Sequence, residues 1–154
     1  CLHATHPGTK FLHKDRFTRG LGLLSAIEYI PPAEVTDAEY PFVLTTGRIL
    51  YQYHTANMTR RSKGIMERAP ESLVEIHPID ADKLGLKEGQ FVKVSSRRGV
   101  VQAKSQITVR VPKGTVFMNF HFKEAATNLL TNAALDPVAK IPEYKVCAVK
   151  VEVA

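Results

Sequence analysis

Polar side chains follow directly after an apolar segment in the stretch LTTGRILYQYHTANMTRR, which begins at Leu44. Gly47 lets a ligand approach the backbone closely, and free amide groups at the end of a strand can bind phosphate or a polar heterocycle. The Arg48 guanidinium group suits a planar, bidentate contact with phosphate or a ring carbonyl. Three further polar side chains follow: Gln52, His54 and Thr55. The spacing alone leaves two interpretations open, a ligand-binding loop and a hairpin loop with polar surface residues.

A second group of chemically useful residues lies in MNFHFKEAATNLLTN, from Met118 to Asn132. A strand here delivers Phe120 and His121 to its end, where a helix is predicted to begin. Asn128 on that helix carries donor hydrogens and acceptor lone pairs, which suit the edge of a purine or a pterin. The alternative for Phe120 and His121 is packing in the core and at its rim.

The third group is the pair Tyr144 and Lys145 in IPEYKV, just before the last predicted strand. Neighbouring strand ends would bring this hydroxyl group and this cation to the same rim. In isolation the pair favours the alternative, a packing Tyr beside a surface Lys. These three groups contain the candidate binding-site residues of the chain.

Other signatures of chemistry are missing from the sequence. It contains no phosphate loop of the form G-x-x-x-x-G-K-[ST], no G-x-G-x-x-G and no G-x-S-x-G elbow. His3, His6 and His13 share one segment, but no carboxylate pair lies near them in sequence, so we predict no metal site. Cys1 and Cys147 lack C-x-x-C spacing, which argues against a disulfide scaffold or a Cys-rich zinc site.

Charge is distributed unevenly along the 154 residues, which carry a net charge of +6. Residues 48–68 hold five basic side chains against one acid, and residues 97–113 hold five more with no acid. Two such segments can converge on a polyanion such as nucleic acid or on a smaller phosphorylated ligand, and a solvated basic face is the alternative. No apolar run approaches the ~20 residues of a membrane-spanning helix, so we expect no membrane contact.

The chain divides by pattern at residue 39. Residues 1–39 show little periodicity and end in two prolines and a short acidic run, so we interpret them as an extended arm and linker. From residue 40 onward the pattern is β-rich, which predicts a domain over 40–154. The predicted strands are 40–45, 73–77, 90–96, 101–111, 115–122 and 146–153, with helices at 78–84 and 124–130. This content indicates a mainly β fold, either a barrel or a compact sandwich.

Four motifs occur in a fixed order: TGR…HT, G-x-x-V-x-V-x-S-x-x-G, N-x-L-T-x-x-x-x-D-P and P-E-Y-K-x-C-A-V-x-V. Together they resemble the C-terminal molybdopterin-dinucleotide-binding domain of the dimethyl-sulfoxide-reductase family of molybdoenzymes. HTANMTRRSKG and IPEYKVCAVKVEV are most similar to the catalytic, or alpha, subunit of formate dehydrogenases. The resemblance covers essentially the whole chain, including the arm CLHATHPGTKFLHKDRFTRGLGL.

The resemblance implies a six-stranded double-psi β-barrel with short helices and an extended N-terminal arm. It also implies that loops of the barrel cover a bis(molybdopterin guanine dinucleotide) cofactor, which holds molybdenum or tungsten. Carried over by position, the contacts with this cofactor fall on Thr46, Gly47, Arg48, Gln52, His54, Thr55, Phe120, His121, Asn128, Tyr144 and Lys145. Basic loops would lower the electrostatic cost of binding its pyrophosphate groups.

The sequence also departs from the family pattern. The metal-ligating Cys or selenocysteine, its catalytic His-Arg pair and the Cys cluster for a 4Fe-4S centre have no counterpart here, so no catalytic residue is assigned. The expected role is to bind and orient the cofactor within an enzyme that oxidises formate to carbon dioxide, without turnover by this chain alone. The expected partners are the remaining domains of the alpha subunit and electron-transfer subunits, in the cytoplasm or attached to a membrane.

Two interpretations from other classes stay open: a basic β-barrel that binds single-stranded nucleic acid, and a non-catalytic interaction module. The polar face of the longest predicted strand carries no aromatic side chain on which bases would stack, so nucleic acid is not an expected partner. Within the family, a related molybdoenzyme such as a nitrate reductase is the alternative to a formate dehydrogenase.

Overall fold

The structure is a computed structural model that describes residues 5, 8, 10, 11 and 13–154. The chain forms two compact units, Cys1–Pro31 and Pro32–Ala154. In the described residues of the first unit there is one isolated bridge, between Phe17 and Gly20, and no helix or strand. Cys1, His3 and His6, which were considered as sulfur or metal ligands, lie outside the described residues. The predicted division at residue 39 stays a prediction.

The second unit contains a closed barrel of six strands. The strands are β1 (Phe42–Gly47), β2 (Leu73–Ile76), β3 (Phe91–Ser95), β4 (Val100–Ile107), β5 (Thr115–Asn119) and β6 (Cys147–Val153). Around the barrel they follow the order β1-β5-β2-β4-β3-β6. The pairs β1–β5 and β2–β4 are parallel, and all other neighbours are antiparallel. This arrangement confirms the predicted six-stranded double-psi β-barrel.

Alternation along the strands creates the barrel interior. Successive side chains of a strand point to opposite faces, so one register of each strand fills the centre. The inward positions are mainly aliphatic and fully buried: Leu44, Val74, Ile76, Val92, Val94, Val116, Met118, Val149 and Val151. Ser105 and Thr46 are polar residues in this inward register. The Ser105 hydroxyl group is satisfied because its Oγ donates a hydrogen bond to the Lys87 carbonyl at 2.6 Å.

Two short helices flank the strands, α1 (Lys63–Arg68) and α2 (Pro78–Leu84). The sequence predicts α2 because Pro78 suits the first helical turn and Gly85 suits the end. His77 caps this helix by accepting a hydrogen bond from the Ile79 amide, and Gly85 ends it in the left-handed conformation, with φ of +66°. The sequence analysis did not identify α1. Among the described residues, no helix is long and apolar enough to cross a membrane.

Three predicted elements differ from the structure in type or by more than two residues at one end. The strand predicted at 115–122 ends at Asn119, opposite the end of its parallel partner β1 at Gly47, so Phe120 and His121 follow the strand. The helix predicted at 124–130 is wrong, because two 3-10 turns, Lys123–Ala125 and Thr127–Leu129, stand in its place. The Thr127 hydroxyl group bonds to the carbonyls of Asn119 and Ala125 and so competes with helical pairing. β4 also ends at Ile107 and not at 111, since its parallel partner β2 ends at Ile76, directly before α2.

Ion pairs fix residues 33–40 to the turn between β3 and β4. Arg97 pairs with Glu34 and Asp37 and lies 4.6 Å from the Tyr40 ring centroid. Arg98 pairs with Glu34 at 2.7 Å and donates to the Leu130 carbonyl at 2.8 Å. A backbone hydrogen bond from Tyr40, together with Arg97, holds the pKa of the Asp37 carboxyl below its usual value.

Cys147 on β6 gives a pH-dependent test of the core. Burial raises the pKa of its thiol from the ordinary 9.0 to about 11. The unfolded chain then releases this proton at lower pH than the folded chain, so the free energy of unfolding falls as pH rises from about 9 to about 11. We expect urea denaturation at several pH values to show this fall in the free energy of unfolding. The Cys147→Ala variant should lack the part of the fall that the thiol causes. A difference between the two proteins that is independent of pH would contradict the assignment.

Candidate functional site

Parallel pairing of β1 and β5 brings the three predicted groups to one end of the barrel. Gly47 at the end of β1 lies opposite Asn119 at the end of β5. The chain leaves β1 into the loop 48–58 and leaves β5 into the turns at 123–129, both at the same edge. The segment before β6 arrives there as well, since β6 is antiparallel to β1 and begins opposite Leu44.

Hydrogen bonds join the end of β1 to the segment before β6. Thr46 Oγ1 donates to the Tyr144 carbonyl at 2.5 Å, and Lys145 Nζ donates to the Thr46 carbonyl at 2.7 Å. Thr46 is buried, so its hydroxyl group makes a contact within the protein. An ammonium group has three donor hydrogens, so two on Lys145 are left for a ligand.

Two cations lie near the Phe120 ring at this end. Its ring centroid is 6.0 Å from Arg48 Cζ and 5.7 Å from Lys145 Nζ. Arg48 Nη2 also lies 3.3 Å from His54 Nε2, which brings the loop 48–58 against the ring. We call these residues the rim cluster: Thr46, Arg48, His54, Phe120, Tyr144 and Lys145. Among the described residues, no carboxylate forms an ion pair with Arg48 or Lys145, so the cluster holds two positive charges that the protein does not neutralise.

His121 lies beneath the rim cluster and is 2% exposed. Its Nε2 accepts a hydrogen bond from the Ile49 amide at 2.9 Å, and its Nδ1 contacts the His54 carbonyl. Both ring nitrogens therefore bind backbone groups of the loop 48–58. The predicted contact of His121 with a ligand stays a prediction.

The other predicted residues have different surroundings. Gln52 is buried, and its amide group donates to the Ala69 carbonyl at 2.8 Å and accepts from the Thr59 hydroxyl at 2.5 Å. Thr55 and Asn128 are exposed. The Asn128 carbonyl accepts from the Thr131 hydroxyl at 3.0 Å. Ligand contacts of Gln52, Thr55 and Asn128 also stay predictions.

Gly47 is required by packing inside the protein. A Cβ atom at this position would lie 2.7 Å from Cε2 and 3.1 Å from Cζ of Phe117. The absence of a side chain therefore makes room for an aromatic ring on the paired strand. The sequence suggested close approach by a ligand, and only the β1–β5 register identifies Phe117 as the neighbour.

A groove of about 750 Å³ runs along the outer surface of β1, β5, β2 and β4. Its floor includes outward-facing residues of these strands, such as Leu73 and Phe117, and Arg48 stands at one side. Its other charged and aromatic lining residues were not among the predicted site residues: Tyr51, Arg68, Glu71, Glu75 and Arg110. Only Glu75 lies in a strand, so its outward register was a signal, whereas the others lie in loops or in α1 and the sequence shows no pattern that brings them together.

The second basic segment, 97–113, is largely neutralised inside the protein. Besides the pairs of Arg97 and Arg98, Lys104 bonds to Glu71 at 2.9 Å and Arg110 to Glu75 at 3.1 Å. The first segment, 48–68, has one such pair, between Arg60 and Glu124 at 2.8 Å. Among the described residues, the segment 48–68 therefore keeps more unpaired cations than the segment 97–113, although their basic residues are equal in number.

The rim cluster has the chemistry that a phosphorylated, ring-containing ligand requires. Arg48 can make paired hydrogen bonds to phosphate, and Lys145 adds a second, more flexible cation. The Phe120 ring provides an apolar surface beside both cations. The donor set therefore fits a pterin with an attached phosphate, and it contains neither a thiolate nor a carboxylate that would bind a metal directly.

The fold is a closed six-stranded barrel that carries the rim cluster, with its two unneutralised cations, at the ends of its strands. Comparison with known families makes the class specific, since residues 42–148 match the Molydopterin dinucleotide binding domain. The chain belongs to this family. The family assignment agrees with the sequence resemblance and supports a molybdopterin cofactor.

Comparison with individual proteins adds the longer context. The chain is 54% identical over 154 residues to the F420-dependent formate dehydrogenase subunit alpha of Methanocaldococcus jannaschii, with 99% of the chain and 23% of that protein covered. It is 50% identical over 139 residues to a nitrate reductase of Symbiobacterium thermophilum, covering 88% of the chain and 18% of that protein. The chain thus spans less than a quarter of the length of these relatives.

A solved structure supports the fold. Acetylene hydratase from Pelobacter acetylenicus superposes with a TM-score of 0.63 over 75% of this chain and 19% of that chain. The sequence identity is 17%, so this likeness concerns the fold alone.

Gly47→Ala tests the packing explanation for this glycine. We expect the added methyl group to displace the Phe117 ring and to lower the free energy of unfolding by about 1 kcal/mol, at the low end of overpacking costs because the ring tip can move. Phe117→Leu should remove most of this penalty. Gly64→Ala is the matched control, because no atom lies within 4 Å of an added Cβ there. If Gly47→Ala lowers the free energy of unfolding equally in the Phe117 protein and in the Phe117→Leu protein, the packing explanation is wrong.

Proposed function

We propose that this chain is the cofactor-binding C-terminal portion of a formate dehydrogenase alpha subunit. The observation that carries the proposal is the pair of unneutralised cations, Arg48 and Lys145, that both lie within about 6 Å of the Phe120 ring centroid at the end of a barrel of the molybdopterin dinucleotide binding family. The 54% identity to an F420-dependent formate dehydrogenase alpha subunit supports the choice of parent enzyme. The proposed location is the cytoplasm.

The proposed cofactor is bis(molybdopterin guanine dinucleotide) with molybdenum or tungsten. Arg48 and Lys145 would hold phosphate or pterin oxygens through charge-assisted hydrogen bonds. Phe120 would lie against the pterin, while Thr46 and Tyr144 keep the two backbone segments together. The predicted contacts of Gly47, Gln52, Thr55 and Asn128 belong to the same proposal, with the Gly47 contact made through its backbone.

The chain's own contribution is binding and orientation. When bound, the metal cofactor supplies the two-electron chemistry that converts formate to carbon dioxide, and 4Fe-4S centres elsewhere in the parent protein carry the electrons away. Two cations and one aromatic ring would determine how the cofactor is oriented, because they offer positive charge beside a planar apolar surface. No residue of this chain is assigned a catalytic role.

The remaining domains of the alpha subunit are the proposed immediate partners, with electron-transfer subunits beyond them. In the first unit, large apolar side chains at 21–30 are almost fully exposed, for example Leu21 at 99% and Leu24 at 95%. In the second unit, the groove along β1, β5, β2 and β4 has a partly apolar lining. Apolar surfaces of this size favour contact with another part of a longer protein.

A nitrate reductase is the second candidate for the parent enzyme, because a relative of that name is 50% identical over 139 residues. The same cofactor contacts would serve either reaction. The parent protein, assayed with formate and with nitrate, distinguishes the two candidates. The isolated chain should turn over neither substrate with a dye acceptor, and sustained turnover would contradict the domain assignment.

Arg48→Ala and Lys145→Ala in the full-length parent protein test the proposed contacts. Each variant loses hydrogen bonds from a charged group, which are worth about 1.5–3 kcal/mol, so we expect roughly 10- to 100-fold weaker cofactor retention. The measurement is guanine nucleotide released from purified protein by acid treatment. Lys150→Ala is the matched control, since Lys150 is an exposed cation on the barrel wall that pairs with Glu152 at 2.7 Å. Unchanged nucleotide content in both test variants would overturn the proposed contacts.

A further inference from the structure

The loop 48–58 contains two residues other than glycine in the left-handed backbone conformation, and one of them, His54, belongs to the rim cluster. His54 has φ of +46° and Ala56 has φ of +58°. The left-handed region costs a residue with a side chain roughly 1–2 kcal/mol. Such conformations persist when the surrounding structure holds them. The contacts of His54 therefore show what determines the shape of the loop.

His121 supplies the contact that holds the strained residue. The His54 carbonyl is a pure acceptor, so His121 Nδ1 must carry the proton that faces it. Nε2 is then unprotonated, as its role as acceptor from the Ile49 amide at 2.9 Å requires. One neutral imidazole thus binds both ends of the segment from Ile49 to His54. His121 is itself fixed, because it is buried and its amide donates to Asn119 Oδ1 at 3.3 Å.

Other contacts hold different parts of the loop. Gln52 bonds to the Ala69 carbonyl and to the Thr59 hydroxyl, which ties the middle of the loop to the region around α1. The Ala56 amide donates to the Tyr53 carbonyl at 2.8 Å, within the loop itself. Neither contact fixes the Ile49 amide or the His54 carbonyl relative to the barrel. In the described residues, the side chain that joins these two groups to β5 is His121.

We propose that His121 is a positioning residue for the ligand loop and not a ligand contact. One tautomer of its ring satisfies both the Ile49 amide and the His54 carbonyl and so holds the backbone at these two residues. This places the Arg48 guanidinium group beside His54 and over Phe120. The rim cluster therefore depends on a buried side chain that makes no contact with the ligand. The inference deepens the proposed function and rests on it only where it concerns the cofactor.

His121→Ala in the full-length parent protein, prepared without cofactor, tests the positioning role directly. The measurement is hydrogen–deuterium exchange followed by mass spectrometry. Loss of one or two hydrogen bonds of about 1 kcal/mol each predicts roughly 10-fold faster exchange in peptides covering 49–56. Peptides from β4 and β6 should change by less than about 2-fold, because the hydrogen bonds of the ring among the described residues go to Ile49 and His54 and not to these strands. Unchanged exchange at 49–56 would overturn the proposal.

His77→Ala is the matched control, since His77 also accepts a hydrogen bond from a backbone amide, that of Ile79 at 3.2 Å. It should speed exchange at the start of α2 and leave 49–56 unchanged. If His121→Ala does not fold, His121→Gln provides the same measurement, because a single amide group cannot meet both backbone partners at the ring's spacing.

Chemical rescue distinguishes positioning from simple space filling. Imidazole added to His121→Ala can occupy the vacated space with one donor and one acceptor, and we expect it to restore slow exchange at 49–56. 1-Methylimidazole has an acceptor but no donor, so it should restore less than half of the protection. Equal rescue by both compounds would show that volume alone holds the loop and would overturn the two-bond assignment.

Guanine nucleotide content of His121→Ala separates this inference from the proposed function. Faster exchange at 49–56 together with reduced nucleotide content supports both. Faster exchange with normal content keeps His121 as a positioning residue and contradicts the proposed role of the loop in cofactor binding. Normal exchange with reduced content contradicts positioning and favours direct contact between His121 and the cofactor.

Discussion

The parallel register of β1 against β5 is the constraint on which the site depends. It places Gly47 opposite Asn119, so both strands deliver their following residues to the same end of the barrel. It also places the Phe117 ring where a Cβ atom at Gly47 would lie, which makes glycine a packing requirement at the end of β1. A shift of one residue would turn each side chain of β1 to the other face and would separate Arg48 from Phe120.

Hydrogen bonds from side chains to backbone groups convert this register into a site. Thr46 and Lys145 connect the end of β1 to the segment before β6, and His121 connects β5 to the loop after β1. Each bond joins residues that are about 70 to 100 positions apart in the chain. The loops at this end are consequently fixed by the barrel and by each other, although they contain little regular secondary structure. Preorganisation of this kind reduces the entropy lost when a ligand binds.

Electrostatics divide the barrel into a neutralised side and a charged end. The basic residues at 97–110 pair with Glu34, Asp37, Glu71 and Glu75, and they hold residues 33–40 and the strand surface in place. Arg48 and Lys145 have no such partner among the described residues. Two basic segments that look alike in sequence therefore differ in their ion pairs, because distant acidic residues pair with four basic residues of 97–113 and with Arg60 alone in 48–68 among the described residues. Net charge alone does not separate these cases.

The sequence by itself determined the elements with strong local signals and the family. Apolar segments, alternation and turn residues located all six strands, Pro78 and Gly85 located α2, and four ordered motifs led to the molybdopterin dinucleotide binding family. The sequence could not locate the end of β4 or the break in the predicted helix at 124–130, because a partner strand and the bonds of Thr127 decide them. The tertiary structure alone decided that Gly47 accommodates Phe117, that Gln52 is buried and that His121 binds backbone groups. The physical reason is that spacing within a strand or helix is encoded locally, whereas the partner of a hydrogen bond or a ring depends on which distant segments the closed barrel brings together.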